Sequence, residues 1–156
     1  MNIRKACIND FIQINELFWQ SDLYHYKNEP YIYEKTNEGH RTEEYFKSLI
    51  EDEYNVFIVL EKENKIIGFL FAYTEIKGSL PFHKKRKYLV LDNIVINENN
   101  QNMGYGKILM DYLIEYSKDN KFNDIILNVF KFNKKAIKLY EKYGFKILTQ
   151  DMILKL

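Results

Sequence analysis

The sequence predicts a mixed α/β (α+β) domain: a mostly antiparallel central sheet containing one parallel strand pair, flanked by helices. Three observations carry this. Two β-branched and aromatic runs, VFIVLE at 56–61 and IIGFLFAYTEI at 66–76, are separated by a short polar turn and read as a hairpin. Two further strand-like runs, 87–96 and 124–130, bracket a helix-length segment at 104–118, the pattern of a parallel crossover. The 156 residues contain no repeat and no linker, so a single domain over 1–156 is expected.

Residues 2–6 read as a short strand. Asn9 or Asp10 can cap a helix whose apolar positions Phe11, Ile14, Leu17 and Phe18 recur at helical spacing. From Ser21 to Arg41 the periodicity breaks, with tyrosines among polar groups, Pro30 and Gly39, and an irregular, partly helical surface segment is expected. Thr42 opens a helix with Tyr45, Phe46, Leu49 and Ile50 on one side. The hairpin turns at Glu63, Asn64 and Lys65. The helix near 104–118 sets Ile108, Leu109, Tyr112, Leu113 and Tyr116 on one stripe. Beyond the strand 124–130, Asn133 starts another helix with Ala136, Ile137 and Tyr140 inward, and Gly144 ends it in a left-handed cap. FKILTQDMILKL is expected to close the chain with one or two strands.

Composition narrows the function classes. A 46% hydrophobic and 16% aromatic chain with 6 Gly and 2 Pro is a core former, not a disordered one. Lysine plus arginine (23) nearly cancels aspartate plus glutamate (22), so nothing pulls the whole chain toward nucleic acid or a membrane. The basic run His83, Lys84, Lys85, Arg86, Lys87 lies between two strands without interleaved aromatics and reads as a solvated connection. No stretch approaches the roughly 20 apolar residues of a membrane span, and MNIRKACIND lacks the apolar run of a signal peptide, so a soluble cytoplasmic protein is expected. The single Cys7 excludes an internal disulfide and is expected to pack inertly. His25, His40 and His83 lack metal-ligand spacing, and no metal is expected.

The chemistry concentrates in Gln101-Asn102-Met103-Gly104-Tyr105-Gly106, at a strand-to-helix junction. A P-loop requires Ser or Thr after its Gly-Lys, but Lys107 is followed by Ile108. A dinucleotide fingerprint requires a third glycine where Leu109 stands. What remains is Gln-x-x-Gly-x-Gly, which resembles the acyl-CoA pyrophosphate loop of the GCN5-related N-acetyltransferase (GNAT) family. At a helix start the backbone N–H groups are unpaired, and glycine lets a phosphate approach them closely. Downstream, Asn133, Ala136, Tyr140, Gly144 and Phe145 reproduce the family's Asn-x-x-Ala-x-x-x-Tyr-x-x-x-Gly-Phe. The resemblance spans nearly the whole chain and is weakest over 21–50.

The resemblance implies a GNAT-like fold in which the strand before the loop carries a bulge and splays from its parallel neighbour, with acetyl-CoA as acyl donor. Backbone groups of Ile94, Val95 and Ile96 would pair with the pantetheine arm. Gln101 to Gly106 and Lys107 would hold the pyrophosphate, with Asn133, Lys135 and Ala136 also at the cofactor. Tyr140 would protonate the departing thiolate, and Asp92 stands where some members carry an acidic base. The acceptor, a small-molecule or peptide primary amine, would attack the thioester directly, with His25, Tyr26 and Tyr31 on its wall. The connection 77–87 is also expected to shape that site. Homodimers are common in the family. The alternative is a non-catalytic acyl-CoA-binding regulatory module.

Overall fold

A computed structural model describes residues 1–78 and 80–155. Five strands, β1 (Asn2–Lys5), β2 (Asn55–Lys62), β3 (Lys65–Lys77), β4 (Arg86–Ile96) and β5 (Asp124–Leu127), form one sheet in that order. All neighbours are antiparallel except β4 and β5, which run parallel as the crossover pattern predicts. The β2–β3 turn holds Glu63 and Asn64 at φ 52° and 59°, the left-handed pair whose twist matches a tight hairpin.

Helices α1 (Phe11–Asn28) and α2 (Glu43–Glu51) precede the hairpin; α3 (Tyr105–Asp119) and α4 (Lys134–Lys142) flank β5 in sequence. The Thr42 side chain caps α2 by accepting from Tyr45 N–H. Both sheet faces are covered, which is why β2 and β3 are apolar at nearly every position. On one face Phe57, Val59, Phe69 and Phe71 pack with Ile14, Leu17, Phe18 and Phe46 of α1 and α2. On the other, Ile58, Leu60, Leu70, Leu89 and Leu91 pack with Leu109, Met110 and Leu113 of α3 and Tyr140 of α4.

Five expectations are corrected. The first helix does not break at Ser21 but runs to Asn28, because His25 and Tyr24 pack on aromatic side chains from the segment after β5. β5 ends at Leu127, and residues 145–155 form no strand. A strand needs a neighbour for its N–H and C=O groups, and four-residue β5 supplies no ladder to the tail, whose Ile147, Leu148, Met152, Ile153 and Leu154 are exposed. In α4 the inward stripe is Ala136, Leu139, Tyr140 and Tyr143; Ile137 lies one position off it. Cys7 is exposed rather than packed.

Candidate active site

β4 builds the first wall. Phe71 pairs with Asn93 and Ala72 with Leu91, so Asp92 is the extra residue of a β-bulge. On its other edge β4 pairs with β5 only from Tyr88 to Leu91. Ile94, Val95 and Ile96 therefore keep their partners Leu70, Phe69 and Gly68 on β3 while their β5-side edge has no strand on it. The opening begins at the bulge.

The chain then turns through a short 3₁₀ segment, Glu98–Asn100. Its asparagines do turn work: Asn97 Oδ1 accepts from Asn99 N–H at 3.0 Å. Gln101 Nε2 donates back to the Ile96 carbonyl at 3.3 Å, so this side chain shapes the loop. Asn102 (φ 64°) and Gly104 (φ 84°) are both left-handed, and Gly104 caps α3. This alternation turns successive amides toward one side. The N–H groups of Asn102, Met103, Gly104, Tyr105 and Gly106 meet no acceptor among the described residues. A Cβ at Gly104 would lie in open space, with nothing within 4 Å, whereas one at Gly106 would touch Leu139 at an ordinary 3.7 Å. A row of unpaired amides at a helix start beside open space fits a phosphate. Tyr105 packs into the core beneath the loop, and Met103 is exposed. Lys107 Nζ is held by Asp111 at 2.7 Å.

Asn133 caps α4, its Oδ1 accepting from Ala136 N–H at 3.2 Å, and Lys135 is exposed on the first turn. Tyr140, on the same helix, is 8% accessible, and burial pushes its phenol up to about 12. The proton therefore stays on Tyr140 throughout the neutral range, and the hydroxyl is a weaker acid than a free phenol. Asp92 is exposed as a residue, but the protein around its carboxyl raises it above the usual carboxylate range, against the opposing pull of the Asn93 amide and Arg41.

The residues expected on the acceptor side divide. His25 Nδ1 lies 2.8 Å from the Ser21 carbonyl, and the imidazole packs with Tyr33 (5.2 Å), Phe130 (5.8 Å) and Phe132 (5.8 Å). Tyr26 is half-buried on α1 outside this cluster, and Tyr31 is exposed with Lys155 Nζ 4.1 Å above its ring. Tyr33, Phe130 and Phe132 were not singled out by sequence; Phe130 read there as the end of a strand. Arg41, equally unforeseen, makes a bidentate pair with Asp22 (2.6 and 3.1 Å) and stacks 4.0 Å over Phe18. It brings the end of the irregular segment into electrostatic reach of Asp92. At the start of β4, where the expected 77–87 connection ends, Arg86 pairs with Asp124 at 3.1 Å and Lys87 lies over Phe122 at 4.3 Å.

The sequence profile of the acetyltransferase (GNAT) family matches residues 12–145. The chain is 27% identical over 146 residues to the uncharacterized N-acetyltransferase YhfO of Bacillus subtilis, covering 94% of this chain and 90% of that one. It is 25% identical over 108 residues to human N-acetyltransferase 8, covering 67% of this chain and 44% of that protein, so it matches less than half of that relative's length. The solved structure of a tetramutant of the BH1408 protein from Bacillus halodurans superposes with a TM-score of 0.93 at 25% identity, covering 100% of both chains.

Proposed function

Because the chain belongs to the acetyltransferase (GNAT) family, we propose that it is an acetyl-CoA-dependent N-acetyltransferase acting on a primary amine. The observation that carries this is the row of unpaired amides from Asn102 to Gly106, opening beside the unpaired edge of β4. The amides and Gly104 would hold the pyrophosphate, and the free edge of Ile94 to Ile96 would pair with the pantetheine amides. Acetyl-CoA would supply an activated acyl group as a thioester.

The residues then divide the proton work. Tyr140 Oη keeps its proton at neutral pH and is the donor to the departing thiolate. Asp92, at the mouth of the opening, accepts a proton from the acceptor ammonium, directly or through water, because an amine of ordinary pKa about 10.4 is otherwise mostly protonated. The half-buried aromatic face of His25, Tyr33, Phe130 and Phe132 supports an acceptor wall on the α1 side. The single cysteine supports a reducing, cytoplasmic setting. Titration calorimetry with acetyl-CoA is the direct test: saturable binding is expected, and none to the folded protein would sink the proposal.

A further inference from the structure

A second cavity, of about 430 Å³, lies between the N-terminal half of α1, the start of β3 and the turn leaving β4. It takes no residue from 101–106, α4 or the bulge. Its floor is apolar, made by Leu17 and Ile66; Ile67, also at its edge, packs its side chain on the opposite face of the sheet. Its walls carry one carboxylate, Glu16, and one ammonium, Lys65, and these make no ion pair with each other. Gln13 spends its Oε1 on Ile66 N–H (2.9 Å), and Asn97 its Oδ1 on Asn99 N–H, which leaves both side-chain NH₂ groups as donors.

Opposite charges that share a cavity without touching suit a ligand that carries both signs. A dication would face Lys65, and a dianion would face Glu16. A ligand with an ammonium and a carboxylate on one carbon satisfies both, the amide donors suit its carboxylate, and an apolar side chain matches the floor. We propose that this cavity binds a free apolar α-amino acid. The same turn ties it to the amide row: Asn97 N–H donates to the Ile67 carbonyl at 2.9 Å and Glu98 N–H to Gln20 Oε1 at 3.1 Å, three residues before Gln101. Occupancy therefore alters the loop that follows. Only this regulatory consequence rests on reading that loop as the acetyl-CoA cradle.

The test is calorimetric titration of the full chain with L-leucine, L-isoleucine, L-valine and L-methionine, beside N-acetyl-L-leucine and L-leucine methyl ester. Saturable heat is expected from at least one free amino acid and from neither blocked analogue. Glu16→Gln and Lys65→Met, both at exposed positions, should each weaken binding about tenfold or more. Saturating amino acid should change acetyl-CoA affinity about fivefold. No saturable binding by any of the four, equal binding of the blocked analogues, or full affinity in both variants overturns the site. Amino-acid binding without acetyl-CoA binding would refute the proposed activity and leave this site standing; acetyl-CoA affinity unchanged by a bound amino acid would overturn the coupling.

Discussion

Tyr143 donates its hydroxyl to Asp111 Oδ1 at 2.5 Å, fastening the end of α4 to α3 about one and a half turns beyond the amide row. The other oxygen of that carboxylate holds Lys107 Nζ at 2.7 Å. The loop lysine that the sequence offers as a phosphate ligand is thus paired within its own helix, and the backbone amides from Asn102 to Gly106 are the unpaired donors of the loop.

Tyr143→Phe is expected to lower stability by about 1 kcal/mol in urea unfolding. The Tyr143 phenol is pushed up to about 12 by burial and by the Asp111 carboxylate. A raised value means that the folded state favours the proton. The contribution is therefore fully present below the ordinary phenol value of about 10 and is lost as pH rises through about 12. The gap between wild type and Tyr143→Phe should close across that window.

Arg4→Met should cost about 3 kcal/mol, because it strands Asp10, which is 4% accessible and takes two guanidinium bonds at 2.7 and 2.8 Å. Burial would raise the Asp10 carboxyl, but Arg4 and the Cys7 amide hold it below its usual value. That stability is present above the ordinary carboxylate range of about 3.9 and disappears as pH falls through the lower folded value. Acid unfolding of Arg4→Met should accordingly begin at higher pH than in the wild type.

The two loop glycines should separate. Gly104→Ala forces a side chain to φ 84° and should destabilise the fold by about 1 kcal/mol or more, while placing a methyl in the open space beside the amides. Gly106→Ala sits inside α3 with only an ordinary contact to Leu139, so its stability should be unchanged or higher. Acetyl-CoA titration of both variants checks this: wild-type affinity in Gly104→Ala would remove the cradle.

Tyr140→Phe should keep acetyl-CoA affinity and thermal midpoint but lose about 100-fold or more in thiol release. The hydroxyl makes no hydrogen bond to a described residue, so its loss strands no partner. Unchanged turnover would point to the alternative of a chain that only binds acyl-CoA, or to another proton donor.

For Asp92, kcat/KM should rise with pH as its carboxylate forms, above the usual carboxylate range because burial raises it. Asp92→Asn should lower the rate about 100-fold and abolish that limb. A retained limb would assign the base elsewhere.

The sequence by itself determined what short-range patterns encode. Alternating or continuous apolar runs specify β2, β3 and β4, and helical stripes specify α3 and α4, because each depends on residues within a few positions of one another; Gly104 and Gly106 by themselves mark a turn and a helix start. Tertiary structure decided the rest. Asp92 becomes the bulge residue only through its misfit against Phe71 and Ala72, and the opening exists only because β5 stops at Leu127. His25 meets Phe130 and Phe132 across most of the chain, which keeps α1 helical where its own periodicity fails. The tail carries strand-like residues yet forms no strand, since a strand is a property of two paired backbones.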